Sequence, residues 1–506
     1  MSSKPRHENG APEASESEPV DPPEGTPSWV VLKFGGTSVS SLDRWRTIRD
    51  TARERLASGR RLVVVCSALS QVSNRLEELL EEAGQGRDVS DGLAGLREVH
   101  ESLAGDMGLD AEGLVGEVLG ELEQILEGIR LTEEVTPRLR ARVLSSGELM
   151  SSRLGAAWLA REGVPTSWQD ARELLEAEAD AHVAPERQYL SATCIHTFDP
   201  ELDRRLRAVP EPVVLTQGFV ARLPGGDTVL LGRGGSDTAA AYLAAKLGAE
   251  HLEIWTDVPG MFTANPHRVP DARLLLNLGY AEAGELASKG AKVLHPRSIV
   301  AAQAGEIPVH VRCTPDPSLV GTVISTSAVE ETGVKAVSER KGIVLVSMDV
   351  DGDWQGVGVI ADITACFKAH DVSIDLLASS QTNLTVALDP RANYLEDEAL
   401  EPLLSDLAEI SDPHVIRPAA AVSLVGTGIR AILHQWASAL ELFEDEEVYL
   451  VAQSANDLSL TLVVDESSAD RLVRRIHGRL FDERLPATSF GPTWETLVAL
   501  PTAPTA

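Results

Sequence analysis

From Trp29 onward the chain alternates two kinds of apolar pattern. Continuous runs over 29–34 (WVVLKF), 61–70, 212–220, 227–232, 251–257 and 308–313 predict buried strands. Between them, apolar residues recur every three or four positions, as in Leu42, Trp45, Ile48 and Leu56, a helical stripe that ends at Gly59. The run SDTAAAYLAAKLG (236–248) predicts a helix closed by Gly248. Strands alternating with helices predict an α/β domain over 29–325, a sandwich of helices around a mostly parallel sheet.

Past residue 340 the order changes. A strand (342–349), an amphipathic helix (357–370) and two strands (372–380, 383–389) are followed by a second helix (430–443) and strand pair (448–455, 458–465). Leu384-Thr385-Val386 matches Leu460-Thr461-Leu462 at an offset of 76. This predicts a duplicated α+β unit, over 340–412 and 413–485. Residues 1–28 carry six prolines and almost no large apolar side chain, which predicts a disordered acidic tail. Residues 486–506 read as a flexible C-terminal tail.

Charge narrows the function. The net charge of −32 repels phosphate polymers and anionic membrane surfaces, so neither nucleic acid nor membrane is an expected partner. No apolar run is long enough to cross a membrane, and the N-terminus lacks the apolar core of a signal peptide. Four widely separated cysteines fit neither a zinc site nor a disulfide framework. A cytoplasmic location is expected.

Candidate chemistry sits in the turns that follow strands. Lys33 ends the first strand, before Gly35-Gly36-Thr37-Ser38. Bare peptide N–H groups, a helix start and a lysine can hold an anion, although a tight turn with a surface lysine explains this segment equally well. Arg233-Gly234-Gly235-Ser236-Asp237 repeats the design, and a guanidinium there suits a carboxylate. Thr256-Asp257 ends another strand. Lys292 and Val293 follow Lys289-Gly290, and His295 before Pro296 reads as structural. Ser145-Ser146-Gly147-Glu148 reads as a helix opening.

The ordered segments KFGGTSV, VVVCSALSQVSN, SSGE, TQGFV, LGRGGSDTAA, IWTDVPG and AEAGELASKGAKVLHPRS resemble the aspartokinase family. FTANPH, SSQTNLTVALDP and ANDLSLTLVVDE are similar to the kinase half of its fusions with diaminopimelate decarboxylase. The resemblance implies an amino-acid-kinase sandwich followed by two ACT (ferredoxin-like) domains. It also implies ATP-dependent phosphorylation of the L-aspartate side-chain carboxylate, the first step toward lysine, threonine and methionine. By the same resemblance Lys33, Gly35, Gly36, Thr256, Asp257, Phe262, Arg268, Lys292 and Val293 bind ATP, and Asp237 orients the lysines. Ser67, Ser73, Glu148, Arg233, Gly234, Gly235 and Ser236 bind aspartate. Mg²⁺ arrives with ATP, with no protein metal ligand assigned. Ser73, Phe262, Asn265 and His267 depart from the residues usual in the family.

The effector site implied by resemblance comprises Val359, Ile360, Ser373, Ile374, Asp375 and Ser379. Lysine is the expected effector and threonine the alternative, because Gly358-Val359-Ile360 departs from the lysine-sensitive pattern. A homodimer or higher homo-oligomer is implied. Two competing readings are an amino-acid kinase for glutamate, acetylglutamate or a nucleotide, and a catalytically silent sensor. SSGE with the duplicated units argues against the first. Retention of Lys33, Arg233, Asp237 and Lys292 argues against the second.

Overall fold

The computed structural model describes residues 27–499 apart from 180–182, 292, 329–330, 350–357, 394–396, 432–440, 445, 454, 482–485 and 487. Lys292, nearly all of the expected N-terminal tail and most of the helix expected over 430–443 lie outside the described residues. The first part of the chain contributes β1 (Trp29–Phe34), β2 (Arg61–Cys66), β3 (Thr166–Trp168), β4 (Val213–Gln217), β5 (Val220–Arg222), β6 (Thr228–Leu230), β7 (His251–Thr256), β8 (Arg273–Leu275), β9 (Asn277–Leu278), β10 (Val309–Cys313) and β11 (Thr322–Ile324). Eight of these form one sheet in the order β3-β4-β2-β1-β7-β10-β11-β9. From β3 to β10 neighbouring strands run parallel, and β11 reverses against β10.

The sheet is buried on both faces, which is why its strands read as continuous apolar runs. Alternation along β1 divides its side chains. Val30, Leu32 and Phe34 enter one core, packed with the helices Val72–Gly84, Ala111–Thr132 and Pro137–Arg161. Trp29 and Val31 enter the other, built on the alanine-rich helix Gly235–Lys246. Lys33 therefore shares a face with Trp29 and Val31 and points toward that helix. The expected single strand over 212–220 is broken instead at Gly218-Phe219. Phe219 takes φ +66, and β5 pairs with β6 as a separate hairpin.

The remaining strands are β12 (Gly333–Asp349), β13 (Leu376–Ser379), β14 (Asn383–Leu388), β15 (Asp412–Thr427), β16 (Val448–Gln453), β17 (Ser459–Asp465) and β18 (Phe490–Thr493). Six form an antiparallel sheet in the order β13-β14-β12-β15-β17-β16, a layout symmetric about the β12–β15 pair. The duplication is thus visible as β14 against β17 and β13 against β16. A boundary at 413 does not separate the two units. The later half of β12 packs in one core with Ile363, Phe367 and Leu403, whereas Val337, in its earlier half, packs in the other with Val422, Leu462 and Leu472. The second unit takes a strand from the residues preceding the first, so the first unit is inserted in the second.

The expected C-terminal tail is also corrected. β18 pairs antiparallel with β8, and the helix Trp494–Ala499 follows it. Phe490 and Leu497 are buried, and the Trp494 ring meets Phe262 edge-on at 5.6 Å. Pro492 is tolerated because it lies in a two-stranded edge. The prolines suggested a loose tail, but three apolar anchors hold residues 490–499 down.

Candidate active site

The turns at the carboxyl ends of β1, β2, β4 and β7 converge. Lys33 Nζ lies 2.6 Å from Asp237 Oδ1, with both side chains nearly buried. Asp237 stands in the first turn of Gly235–Lys246, where a carboxylate also meets the positive end of the helix dipole. A buried ammonium alone would be costly, and this pairing is what allows it at the end of a core strand. Gly35 leaves its Cβ direction open 3.5 Å from Lys33 Nζ, and its N–H donates to the Trp255 carbonyl at 3.3 Å. A Cβ on Gly36 would lie 3.0 Å from the Ala68 carbonyl, so the Gly-Gly turn and the 67–73 turn are in close contact.

Below Ala68 runs the helix Pro137–Arg161. Gly147 admits Ala68 there, since a Cβ would stand 2.9 Å from that of Ala68. Glu148, the next residue, is buried. Burial pushes its carboxyl up to about 8, although backbone N–H groups including that of Ala68 pull it down. Its Oε2 atom has no hydrogen-bond partner within the chain. Ser145–Glu148 was expected to open a helix. The helix opens earlier, where the Thr136 side chain accepts from the Leu139 N–H and Pro137 takes the first position. Ser67 is tied to the same helix, its carbonyl accepting from Ser151 Oγ at 2.7 Å. Ser73 is exposed in the first turn of Val72–Gly84.

Gly234 takes φ +63, and a Cβ there would stand 2.3 Å from that of His295. His295 caps the helix Pro296–Ala304, its Nδ1 accepting from the Arg297 N–H at 3.3 Å, and burial lowers its pKa. It braces the glycine turn as a neutral ring, in keeping with a structural role. Arg233 is exposed beside it, and Ser236 packs on Gly218. Thr256 and Asp257 end β7, where Thr256 Oγ1 donates to Asp257 Oδ1 at 3.1 Å. Val293 packs at the edge of the core around Gly235–Lys246.

Two further expected nucleotide residues also make contacts toward the six-stranded sheet. Phe262 lies in the core it shares with Val337, Val422 and Leu462. Arg268 forms ion pairs with Asp470 and, at 3.2 Å, with Glu339. Both belong to the junction with the six-stranded sheet, because β8 and the residues before it run alongside β12 and the helix Glu466–Leu480.

Two features escaped the sequence reading. Ser38 and Thr314 share a hydrogen bond of 2.7 Å between buried hydroxyls, joining the glycine turn to the end of β10. Phe219 packs against Gly235, whose missing Cβ leaves the room. A glycine followed by an aromatic residue at a strand end was the available signal for the second.

The closest grouping of metal-binding side chains among the described residues is His251, Glu253 and His310, at the opposite end of β7. The two imidazoles stack at 14° with centroids 4.7 Å apart, so one ion cannot lie in both ring planes at bonding distance. Burial raises the pKa of Glu253, yet hydrogen bonds from His251 and Arg55 hold its carboxyl at about 2. The cluster is an internal ion-pair network.

A parallel sheet with two glycine turns, a buried lysine–aspartate pair and a helix N-terminus is built to hold phosphates. The family model described as "Amino acid kinase family" matches residues 28–313, more than half of the chain. The chain belongs to the amino acid kinase family. As an amino acid kinase it is 28% identical over 461 residues to lysine-sensitive aspartokinase 3 of Escherichia coli, covering 90% of this chain and 99% of the relative. It is 28% identical over 502 residues to the aspartokinase of Schizosaccharomyces pombe, covering 91% and 94%. Among solved structures, E. coli aspartokinase III in complex with aspartate and ADP (R-state) superposes with a TM-score of 0.75 at 28% identity, over 90% of this chain and all of that one. The same enzyme with lysine and aspartate (T-state) gives 0.68 at 28% identity, over 90% and 99%.

Proposed function

We propose that this amino acid kinase is an aspartokinase, transferring the γ-phosphoryl group of ATP to the side-chain carboxylate of L-aspartate. The observation that carries the reading is the Lys33–Asp237 pair beside two glycine turns, with the free Oε2 of buried Glu148 across the 67–73 turn. The acceptor carboxylate is ionised at pH 7, so the reaction needs no general base. What it needs is positive charge and fixed dipoles around a phosphoryl group approached by a second anion. Lys33 supplies the charge, oriented by Asp237. The Gly36 N–H and the helix N-terminus at Gly235 supply the dipoles, while Gly35 gives the turn its bare backbone.

In this reading Arg233 holds the substrate α-carboxylate, with Gly234, Gly235 and Ser236 shaping the turn, while Ser67 and Ser73 contact aspartate. Glu148 receives the substrate ammonium, which would return the buried carboxyl to its ionised form. Thr256, Asp257 and Val293 line the nucleotide side, and Lys292 completes it by resemblance. Mg²⁺ on the nucleotide would screen the phosphate charge. Asp237 is already engaged by Lys33, which fits an ion held mainly by phosphate oxygens and water.

The six-stranded sheet is read as a pair of ACT units sensing lysine, with threonine as the alternative effector. Val359 and Ile360 start the helix Val359–Ala369, and Ser379 ends β13. The Ser373 N–H is held by Asn393 Oδ1 at 2.6 Å, next to Ile374 and Asp375. Dimerisation through this sheet is part of the reading, supported by Leu377 on edge strand β13 and Val451 on edge strand β16, which are 44% and 54% exposed. A cytoplasmic setting accords with four unpaired cysteines.

The test is incubation with MgATP and hydroxylamine plus aspartate, glutamate or neither. An acyl phosphate is trapped as the hydroxamate, and the expected signal appears with aspartate alone. Signal with glutamate, signal without either amino acid, or no signal would overturn the assignment.

A further inference from the structure

Beyond Thr256-Asp257 the chain turns and comes back along β8 as a hairpin that carries Phe262 and Arg268. The Met261 carbonyl accepts from the Leu275 N–H at 2.8 Å, and the Thr263 N–H donates to the Arg273 carbonyl at 2.9 Å. Phe262 faces Leu274 in an antiparallel bridge between them. Asn265, His267 and Arg268 form the turn, where the His267 N–H donates to Asn265 Oδ1 at 3.1 Å and the Arg268 N–H to the Asn265 carbonyl at 3.0 Å. A two-stranded hairpin is marginal by itself and needs a third strand or an apolar cover.

The C-terminal segment supplies both. β18 pairs with the other side of β8, Phe490 opposite Leu275 and Thr493 opposite Arg273, and the Leu276 N–H donates to the Ser489 carbonyl at 3.0 Å. Its start is fixed, because Phe490 is buried with Lys335 Nζ 5.6 Å over its ring, and Ser489 Oγ donates to Glu331 Oε2 at 2.8 Å. Past β18 the Trp494 and Glu495 N–H groups donate to the Ala272 and Pro270 carbonyls at 2.8 and 3.2 Å. The Trp494 ring meets Phe262 edge-on at 5.6 Å and His267 edge-on at 5.3 Å, the geometry that aromatic pairs favour. One residue thus ties together the outgoing arm, the turn and the returning arm of the hairpin.

We infer that Trp494 is a positioning residue for the nucleotide, acting through Phe262 and the turn at His267 to hold the hairpin in the shape that ATP meets. The inference rests on the reading of Thr256, Asp257 and this hairpin as the nucleotide side, and it adds the C-terminal segment to that side. Arg233 and Glu148, on the aspartate side, stand on other elements, so the effect is confined to one substrate. Without the ring the hairpin samples other shapes. If it holds the binding shape about one tenth of the time, the apparent nucleotide Kd rises about ten-fold.

The experiment compares wild type, Trp494→Ala and Trp494→Phe in the full chain. It uses calorimetric titration of MgADP, amide hydrogen exchange over 262–272, and hydroxamate rates with ATP and aspartate varied in turn. Trp494→Ala should weaken MgADP binding and raise the KM for ATP by about ten-fold, with the KM for aspartate within about two-fold of wild type. Exchange over 262–272 should quicken in the same variant. Trp494→Phe keeps a ring and should stay within about three-fold of wild type throughout. Unchanged MgADP affinity or unchanged exchange in Trp494→Ala overturns the proposal. An equal rise in both KM values overturns it as general loosening, and so does Trp494→Phe binding no better than Trp494→Ala. Should Trp494→Ala melt early, titration at about 10 °C, near the usual maximum of stability, decides by the same criterion. No MgADP binding by wild type defeats the nucleotide reading itself. MgADP binding without any hydroxamate defeats the aspartokinase assignment alone, and the titration still decides for Trp494.

Discussion

Asp237 and Lys33, far apart in sequence, meet at 2.6 Å because β1 alternates its side chains between two cores and the helix Gly235–Lys246 begins where β1 ends. The pair serves the fold and the reaction in separable ways. Lys33→Ala should lower turnover by about 10²–10³-fold, by analogy with loss of an oxyanion donor. It also strands a buried carboxylate, which lowers stability. The double variant Lys33→Ala/Asp237→Asn should regain melting temperature but not activity. Thermal melts and hydroxamate rates on the same samples check both halves.

Glu148 gives a pH signature. Its folded-state pKa, about 8, lies above that of an unfolded glutamate, so the native state binds the extra proton between those values. Its contribution to stability is full below about pH 4.5 and falls as pH rises through about 8. Glu148→Gln removes this dependence. The melting temperature of the variant minus that of wild type should grow from pH 5 to pH 8, while the KM for aspartate rises about 100-fold.

Arg268 can be tested as a nucleotide ligand and as a strut to the six-stranded sheet. A nucleotide ligand would raise the KM for ATP when removed. A strut acting through Glu339 and Asp470 would leave it unchanged. Arg268→Ala should shift the effector concentration for half-inhibition, and a KM for ATP raised at least about ten-fold would assign Arg268 to the nucleotide as well. Steady-state kinetics with varied ATP and lysine distinguish the two.

Asp375→Ala should relieve effector inhibition with the maximal rate unchanged, since Asp375 lies outside the kinase site. Retained inhibition in dose–response curves would move the effector elsewhere.

Gly234 is a conformational requirement. Alanine there meets both the left-handed φ, about 1–2 kcal/mol, and the Cβ of His295 at 2.3 Å. Gly234→Ala should lower the melting temperature by about 5 °C and reduce turnover by at least about ten-fold.

Strand β1 was legible because its residues are apolar on both faces, and Lys33 stood out as the one charge in a continuous run. The duplication was legible from Leu384–Val386 and Leu460–Leu462, since both strands fill the same place in the sheet. The helix containing Glu148 was misplaced because Ser145 and Ser146 imitate caps, whereas Thr136-Pro137 supplies the real one. The pairing of Arg268 was hidden, because Glu339 and Asp470 reach it only through tertiary packing. The same holds for β18, where Phe490 and Trp494 matter more than the neighbouring prolines.

Strands β12 and β15 pass without interruption through both sensing units. Anyone transplanting the regulatory half onto another kinase must therefore cut before Gly333 and beyond Leu480. A graft made at 413 would carry away half of each shared ribbon and leave two incomplete modules in place of one.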